Sequence, residues 1–267
     1  MKRLANKVAV VLGAGGRDNM GQAIARRFAM QGARVVVAGR DERTLGELAA
    51  EIGGRAALCD LTQKAQLQSL AQVALDAFGR IDIAVNCAGF GLIAKLLETT
   101  EEQIDRVMDL QFKGSFFFLQ VFCDSLAKGG GGSIVLTSSA SVHALLYHHA
   151  AYIGTKAGAE ALARCFANEF GARGVRVNSI APGLTATPMT SREMQMPGLE
   201  AAFVKEYPLG RIGTVDDVAD AALWLAGDEC FMTGQVLQVN GGLTLRRNPL
   251  PREINAALAA AARPPAG

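Results

Sequence analysis

The chain has 267 residues, half of them hydrophobic, and a formal net charge of +2 at pH 7. This length allows one large core, and the near-neutral charge with dispersed Lys and Arg residues excludes a surface built for nucleic acid. No stretch reaches the ~20 apolar residues that a membrane helix needs, and the first apolar run is too short for a signal peptide. We expect a soluble, cytoplasmic protein with neither a nucleic-acid nor a membrane partner.

The first half of the chain alternates short apolar runs with amphipathic helical patterns. Residues 8–12 predict a strand, 13–21 a glycine-rich turn, 22–30 a helix and 34–38 a second strand, which together make one βαβ unit. Helices at 45–52 and 67–78 and strands at 56–58 and 81–85 continue the alternation. The N-terminal half is therefore typical of a parallel sheet.

The second half predicts helices at 101–126, 152–170 and 215–226 and strands at 133–137, 175–180 and 235–239. We expect an α/β fold, a single-domain doubly wound (Rossmann) parallel sheet of about seven strands with helices on both faces. The domain spans residues 1–244 and includes a Thr-, Met- and Pro-rich flap at 184–207. Residues 245–267 form a C-terminal extension with one helix at 254–262.

The cysteines and histidines do not predict a metal site. Five cysteines are scattered without a C-x-x-C pair, which predicts reduced thiols rather than disulfides or zinc ligands. Cys87 lies near the ligand expected at the glycine turn, and its simplest interpretation is a small buried side chain that fills space in the core. The adjacent His148 and His149 point in different directions in most backbone conformations, so we expect no metal between them.

The turn G-A-G-G-R-D-N-M-G, between the first strand and the first helix, predicts a dinucleotide site. Glycines let the backbone approach a pyrophosphate, and the helix N-terminus supplies N–H groups. The G-x-G-x-x-G pattern is not met because Asp18 replaces its third glycine. A G-x-x-x-x-G-K phosphate loop is not met because Gln22 follows Gly21. A tight turn without a ligand is the alternative.

The residues after the second strand indicate which dinucleotide binds. NAD sites place an acidic residue there, whereas NADP sites use positive charge. Gly39 leaves room for a 2′-phosphate, Arg40 can pair with it, and Arg17 can assist. Asp41, one residue later, could still turn back to a ribose hydroxyl. The sequence favours NADP(H) over NAD(H).

Tyr152 and Lys156 are four residues apart, so on a helix they share one face about one turn apart. A tyrosine pKa of about 10 is too high for easy proton exchange at neutral pH. A nearby ammonium lowers the tyrosine pKa, which makes the pair a candidate general acid or base. Ser139, thirteen residues before Tyr152, would add a hydroxyl. From spacing alone, a surface Tyr–Lys pair is the alternative.

Further motifs follow in a fixed order: G-x(7)-G from Gly13, C-D-L from Cys59, N-C-A-G from Asn86, S-S-A-S from Ser138, Y-I-G-T-K from Tyr152, V-R-V-N-S-I-A-P-G from Val175 and T-G-Q-V-L-Q-V-N-G-G from Thr233. With them the chain resembles the short-chain dehydrogenase/reductase family over residues 7–244, near its 3-oxoacyl-reductase branch but with an extended glycine loop. The resemblance implies an NAD(P)(H)-dependent oxidoreductase of the alcohol dehydrogenase or carbonyl reductase type, commonly a homotetramer.

The resemblance also implies residue roles. Tyr152 would donate a proton to a carbonyl oxygen during reduction, Lys156 would lower the tyrosine pKa and hold the nicotinamide ribose, and Ser139 would hydrogen-bond the substrate oxygen. The dinucleotide would contact Gly13, Gly15, Arg17, Asn19, Met20, Gly21, Gly39, Arg40, Asp60, Leu61, Asn86, Ala88, Gly89, Tyr152, Lys156, Pro182, Gly183, Leu184 and Thr187.

The chain departs from the family pattern in two places. Leu12 and Asn19 replace a threonine and a glycine of the usual turn, which is two residues longer here. The long loop resembles enoyl-acyl-carrier-protein reductases, but those separate Tyr and Lys by six residues rather than three, so we do not expect enoyl reduction. Gln111 stands where the family has a catalytic asparagine that kinks a long helix and holds a water. We expect a slower proton relay with activity intact.

The resemblance implies that the loop between Ser139 and Tyr152 lies over the substrate, so its apolar residues suggest a hydrophobic ketone or secondary alcohol as the small-molecule substrate. Leu145 and His149 of this loop and Met189 of the flap would line its site. Candidate substrates are 3-oxoacyl, cyclic-ketone and hydroxysteroid compounds. Apolar faces on helices 101–126 and 152–170 suggest a homo-oligomer, a tetramer or a dimer. The alternative function is a non-catalytic dinucleotide-binding sensor or scaffold of the same fold.

Overall fold

The computed structural model describes residues 2–187, 190 and 195–262. Within them, seven parallel strands form one sheet: β1 (Val8–Leu12), β2 (Arg34–Gly39), β3 (Arg55–Leu58), β4 (Ile83–Asn86), β5 (Gly132–Thr137), β6 (Val175–Pro182) and β7 (Val236–Val239). Their order across the sheet is β3-β2-β1-β4-β5-β6-β7. The direction of winding reverses between β1 and β4, the point at which doubly wound sheets bind ligands.

Nine α-helices accompany the sheet in the described part of the chain: α1 (Met20–Met30), α2 (Glu42–Ile52), α3 (Lys64–Phe78), α4 (Glu101–Val107), α5 (Gly114–Lys128), α6 (Ala150–Phe170), α7 (Leu199–Val204), α8 (Val215–Ala226) and α9 (Pro251–Ala261). None of these helices combines the length and apolar character needed to cross a lipid bilayer.

The core has two layers, one on each face of the sheet. Alternate residues of β1 enter different layers: Val11 packs with α1, α2 and α8, whereas Val10 packs with α3, α5 and α6. Every residue of β1 is buried, which explains its continuous apolar sequence, since a strand covered on both faces has no solvent side. The predicted α/β doubly wound parallel sheet with helices on both faces is confirmed.

Some element boundaries differ from the sequence expectations. The helix predicted at 101–126 is interrupted by a π-helical segment, Met108–Lys113. The strand predicted at 81–85 begins at Ile83, and the Asp82 carboxylate before it accepts the Val8 N–H at 2.8 Å. The terminal helix begins at Pro251 rather than residue 254, since proline fits the first turn of a helix.

The predicted flap at 184–207 is partly core. Its α7 buries Leu199 and Phe203 in a third apolar cluster, together with Ala144 from the loop before α6 and Leu258 from α9. Asn248 donates its side-chain N–H to the Ala144 carbonyl at 2.5 Å in a buried hydrogen bond. The extension after residue 244 is therefore packed against both the flap and the loop that precedes Tyr152.

Candidate active site

Three polar side chains expected from the sequence meet at the carboxyl edge of β5. Ser139 follows that strand, and Tyr152 and Lys156 occupy the first two turns of α6. Lys156 Nζ donates to the Thr137 carbonyl at 2.7 Å and lies 5.8 Å from the centroid of the Tyr152 ring. The Ser139 hydroxyl hydrogen-bonds the Ser141 hydroxyl at 2.8 Å, and its interaction with the Tyr152 phenol lowers the pKa of that phenol. A proton donor, an ammonium and a second hydroxyl are thus collected at one point.

Burial dominates the protonation of this group. It raises the pKa of Tyr152, and the hydrogen bond with Ser139 opposes that rise. It also lowers the pKa of Lys156 to about 8, with Cys87 and Glu160 opposing that fall. The sequence predicted a tyrosine pKa lowered by the lysine; in the structure desolvation has the larger effect. Tyr152 is therefore protonated at neutral pH and can donate a proton.

Gln111 lies in the π-helical segment beside this group and is 2% exposed. Its Nε2 donates to Thr155 Oγ1 at 3.2 Å, while its Oε1 has no hydrogen-bond partner among the described residues. A Cβ on Gly89 would lie 3.0 Å from Gln111 Oε1 and 3.5 Å from Lys156 Nζ. The amide therefore faces the same small space as the ammonium. Buried acceptors are normally paired, so the unpaired Oε1 of Gln111 is unusual among the described residues.

The glycine turn is shaped by close backbone approaches. Gly13 has φ +97°, and a Cβ there would lie 2.6 Å from the Ala88 nitrogen. Asn19 caps α1 by accepting the Gln22 N–H at 2.9 Å, and its Nδ2 donates to the Gly13 carbonyl at 2.8 Å. A Cβ on Gly21 would lie 2.7 Å from the Gly13 oxygen. Asn19 thus holds the longer turn closed where the family's turn has a glycine.

A cavity of about 1080 Å³ runs from this turn along the carboxyl edge of the sheet. It is large enough for a dinucleotide, since pockets for drug-sized ligands measure ~300–1,000 Å³. Twelve of the residues expected to contact a dinucleotide line it: Gly13, Gly15, Asn19, Met20, Gly21, Gly39, Arg40, Asp60, Leu61, Ala88, Gly89 and Thr187.

The other expected contact residues lie just behind or beside this lining. Asn86 Oδ1 accepts the Ala88 N–H at 3.0 Å and so shapes the turn after β4. Pro182 ends β6, and the Gly183 N–H that follows donates to the Val239 carbonyl at 3.2 Å. The Leu184 N–H donates to the Tyr207 hydroxyl at 2.6 Å. These bonds fix the backbone next to the cavity.

The end of β2 has no room for a larger residue than glycine, because a Cβ on Gly39 would lie 2.9 Å from the Gly15 nitrogen. Asp41 accepts the Thr44 N–H at 2.7 Å as the cap of α2, and this bond holds the pKa of Asp41 below its usual range. Its Oδ1 is therefore used in the cap, and Asp41 itself also lines the cavity. Asp60 likewise accepts the Thr62 N–H at 2.9 Å.

Arg17 lies elsewhere than the sequence suggested. Its guanidinium bonds Glu47 at 2.5 Å and is not part of the cavity lining. The longer turn carries Arg17 outward to α2, because Asp18 adopts φ +50° directly after it. Arg40, directly after Gly39, lines the cavity.

The expected substrate residues differ in their exposure. Leu145 is 70% exposed. The His149 ring lies 6.2 Å from the Tyr152 ring in an edge-to-face arrangement, and burial lowers the pKa of His149. Met189 lies outside the described residues. Among residues 2–187, 190 and 195–262, no group of three His, Cys, Asp or Glu side chains could hold a metal ion.

Several cavity and site residues were not found from the sequence. Cys87 lines the cavity as a thiol, since burial raises its pKa to about 11, and Thr137 Oγ1 donates to its Sγ at 3.4 Å. Glu102 and Asp109 reach the cavity from the α4 region, which carries no local motif. Glu160 accepts the Ser138 hydroxyl at 2.5 Å; its i+4 spacing from Lys156 was a usable signal.

Known proteins share this architecture. A family model described as "Enoyl-(Acyl carrier protein) reductase" matches residues 13–244. D-threitol dehydrogenase of Mycolicibacterium smegmatis is 34% identical over 250 residues, covering 91% of this chain and 95% of that protein. The 3-oxoacyl-[acyl-carrier-protein] reductase of Thermotoga maritima is 33% identical over 249 residues, covering 91% of this chain and 100% of that protein.

The solved structure of a short-chain type dehydrogenase/reductase from Mycobacterium ulcerans superposes with a TM-score of 0.88 at 31% identity, covering 96% of this chain and 98% of that one. Sequence, fold and relatives agree with one another. The chain belongs to the short-chain dehydrogenase/reductase family of oxidoreductases.

Proposed function

We propose that this protein interconverts a hydrophobic ketone and a secondary alcohol by hydride transfer with a nicotinamide dinucleotide. The observation that carries the proposal is the convergence of Ser139, Tyr152 and Lys156 beside Gly89, which lines a glycine-walled cavity and where an added Cβ would lie 3.5 Å from Lys156 Nζ. The alcohol dehydrogenase or carbonyl reductase type follows from this group, because a protonated phenol beside a hydroxyl suits a carbonyl oxygen.

Tyr152 acts as the general acid in reduction, giving its phenolic proton to the carbonyl oxygen, and as the base in oxidation. Ser139 donates a hydrogen bond to the same oxygen while negative charge develops there. Lys156 supplies positive charge beside the phenol and binds the nicotinamide ribose. When bound, the dinucleotide supplies or accepts the hydride. The orphan Gln111 Oε1 faces Lys156 and completes the group.

The residues present fit a dinucleotide. Gly13 and Gly39 sit where any Cβ would strike backbone atoms, so the chain keeps its backbone close to the cavity. The N-terminus of α1, capped by Asn19, offers N–H groups and a favourable dipole to a pyrophosphate. Asp60, Leu61, Asn86, Ala88 and Gly89 form the wall beyond, and Pro182, Gly183, Leu184 and Thr187 the nicotinamide end.

We propose NADP(H) as the preferred dinucleotide. Arg40 faces the cavity after a glycine, as a 2′-phosphate requires. Asp41, the acidic residue that would favour NAD(H), also lines the cavity, but its Oδ1 caps α2 and only its second oxygen is left for a ribose hydroxyl. Arg17 has no part in this proposal, because its guanidinium pairs with Glu47.

The substrate is proposed to be hydrophobic because the loop before α6 and the flap meet in an apolar cluster. Leu146 and Leu184 pack against this cluster, near the catalytic group. Leu145 and His149 border the entrance, and Met189 remains a proposed lining residue. One relative is named for D-threitol and another for a 3-oxoacyl group on acyl-carrier protein, so the substrate varies within the family.

Enoyl reduction, the activity in the family model's description, is a weaker candidate. Tyr152 and Lys156 are separated by three residues, and their helix places both beside Ser139. A non-catalytic dinucleotide sensor is a still weaker candidate function, because such a protein would not need Ser139, Tyr152 and Lys156 together. Turnover of a ketone, but not of an enoyl thioester, separates the three functions.

The protein is also proposed to be a homo-oligomer, a tetramer or a dimer. Phe112, Phe116 and Phe166 keep partly exposed rings on and beside α5 and α6, and Phe116 and Phe166 stack edge to face with centroids 5.5 Å apart. A shared aromatic surface on two adjacent helices suits a second copy of the chain. Light scattering after gel filtration measures the mass directly.

The test of the catalytic proposal is Tyr152→Phe. A panel of ketones is incubated with NADPH or NADH, and loss of cofactor absorbance is followed. We expect Tyr152→Phe to lower kcat by about 10²–10⁴-fold, because the proton donor is gone. Tyr147→Phe is the matched control, since Tyr147 is an exposed tyrosine in the loop that precedes α6. Full turnover by Tyr152→Phe would contradict the proposal.

A further inference from the structure

A buried carboxylate lies behind the catalytic group and has no role in the proposed chemistry. Glu160 is 4% exposed and lies on α6 one turn after Lys156. Its Oε1 accepts the Ser138 hydroxyl at 2.5 Å, and His143 Nε2 lies 3.5 Å from the same oxygen. A buried charge is costly unless it is paired and hydrogen-bonded, so this carboxylate has a specific use.

The two contacts of Glu160 lie at opposite ends of the segment that carries Ser139. Ser138 directly precedes Ser139, and its N–H donates to the Ile180 carbonyl of β6 at 2.7 Å. His143 ends the 3-10 turn that follows Ser139. One oxygen on α6 therefore holds both ends of this segment, and the position of the Ser139 hydroxyl depends on it.

The charge of Glu160 also acts on Lys156. The ionisable groups that face Lys156 are Tyr152, Cys87 and Glu160; those that face Glu160 are Lys156 and His143. Cys87 is protonated at neutral pH, since burial raises its pKa to about 11, so Glu160 supplies negative charge next to the ammonium. That charge opposes the desolvation that would otherwise remove the lysine's proton.

We propose that Glu160 is a positioning residue with two separable roles: its oxygen fixes the Ser139 segment on α6, and its charge acts on Lys156 from one helical turn away. The proposal rests on the proposed function for its catalytic consequence. The two roles can be separated by chemistry, because Glu160→Gln keeps an acceptor oxygen and loses the charge. Glu160→Asp keeps the charge and withdraws the oxygen by one methylene.

The first measurement follows the lysine charge without turnover. Lysine ε-carbon signals of the cofactor-free protein are titrated by NMR, with Lys156 assigned through Lys156→Arg. We expect Glu160→Gln to move the Lys156 midpoint about one pH unit lower. Glu160→Asp should leave it near that of the unmodified chain. Glu169→Gln, an exposed glutamate on the same helix, is the control. An unchanged midpoint in Glu160→Gln overturns the charge role.

The second measurement follows ketone reduction. We expect Glu160→Asp to lower kcat by about tenfold or more at every pH, because a small displacement of a catalytic hydroxyl is costly. The KM for the dinucleotide should stay unchanged, while the thermal unfolding midpoint should fall, because the buried hydrogen bond from Ser138 is weakened. In Glu160→Gln the loss of kcat at high pH should begin about one pH unit lower, in step with the NMR midpoint.

Unchanged kcat in Glu160→Asp overturns the positioning role. If the unmodified chain reduces no carbonyl compound, the proposed function fails, and the NMR titration alone decides whether Glu160 sets the charge of Lys156. The failure of one proposal is thereby distinguishable from the failure of the other.

Discussion

The cofactor half and the substrate half of the site are built in different ways. In the cofactor half, around the ends of β1, β2 and β4, backbone approaches backbone so closely that Gly13 and Gly39 admit no Cβ. In the substrate half, the loop before α6, α7 and α9 meet through interchangeable apolar side chains such as Phe203 and Leu258. In the cofactor half, steric contact with the backbone restricts which residue can stand at a position. In the substrate half, only the total volume of the apolar side chains is restricted.

This difference explains why one half can be identified from sequence and the other cannot. A close backbone approach demands one residue type at one position, and such demands appear as motifs. An apolar cluster demands only a total volume, which many combinations of Leu, Phe and Ile satisfy. The cofactor class can therefore be predicted from this sequence, whereas the substrate cannot.

The largest expected effect comes from breaking the cofactor half at Gly13. In Gly13→Ala, the added Cβ would lie 2.6 Å from the Ala88 nitrogen at a φ of +97°. We expect a loss of about 2–5 kcal/mol in the free energy of unfolding and a large loss of dinucleotide affinity. Urea unfolding and cofactor fluorescence titration measure the two.

The control for Gly13→Ala is Gly46→Ala. Gly46 lies in α2 with nothing within 4 Å of its Cβ position, so alanine there should stabilise the helix by about 0.5–1 kcal/mol. Equal stability and affinity in both variants would contradict the steric account of the cofactor half.

A smaller effect is expected at Arg40, because this residue would contribute to dinucleotide binding through its charge rather than through steric fit. In Arg40→Ala, the ratio of kcat/KM for NADPH over NADH should fall about tenfold or more, because a hydrogen bond to a charged phosphate is lost. Arg17→Ala should leave the ratio unchanged, since Arg17 pairs with Glu47 outside the cavity lining. A ratio that falls in Arg17→Ala and not in Arg40→Ala would reverse this assignment.

Most of the fold was predictable, because buried parallel strands such as Val8–Leu12 are continuous apolar runs. The Ser139–Tyr152–Lys156 group was predicted from the family resemblance together with its spacing, since the spacing alone left a surface Tyr–Lys pair open. The tyrosine's pKa was not, because desolvation depends on what covers the phenol in three dimensions. The exact place of Arg17 was not predictable either, since it follows from the backbone of a loop with no standard length.

Glu160 and Asn248 show a second limit. Their partners, Ser138 and Ala144, lie 22 and 104 residues away in the sequence. Contacts of this kind leave no local pattern. They become visible only when the sheet has brought the elements together, so the sequence could name the extension after residue 244 but not what it touches.

The substrate half can be probed at Asn248. In Asn248→Ala, the buried Ala144 carbonyl loses its donor, which should cost about 1–3 kcal/mol of stability and loosen the loop before α6. We expect a several-fold rise in the KM for the ketone and an unchanged dinucleotide affinity. Arg252→Ala, an exposed change on the same extension, is the control. If the ketone KM does not respond, the extension does not shape the substrate site.

The smallest expected effect is at Gln111, where the two halves meet beside Lys156. Gln111→Asn withdraws the amide by one methylene, which removes the hydrogen bond to Thr155 and opens room for a water next to Lys156. We expect stability to fall by about 1 kcal/mol. The kcat should rise about threefold, with a shifted pH–rate profile, because the proton relay becomes faster.

Gln120→Asn is the matched control for Gln111→Asn. It makes the same chemical change on α5, at another side chain whose Oε1 has no partner among the described residues, and it lies outside the catalytic group. Its pH–rate profile should coincide with that of the unmodified chain. If Gln111→Asn also leaves the pH–rate profile unchanged, the Gln111 side chain has a packing role alone. Its amide then takes no part in proton transfer from Lys156.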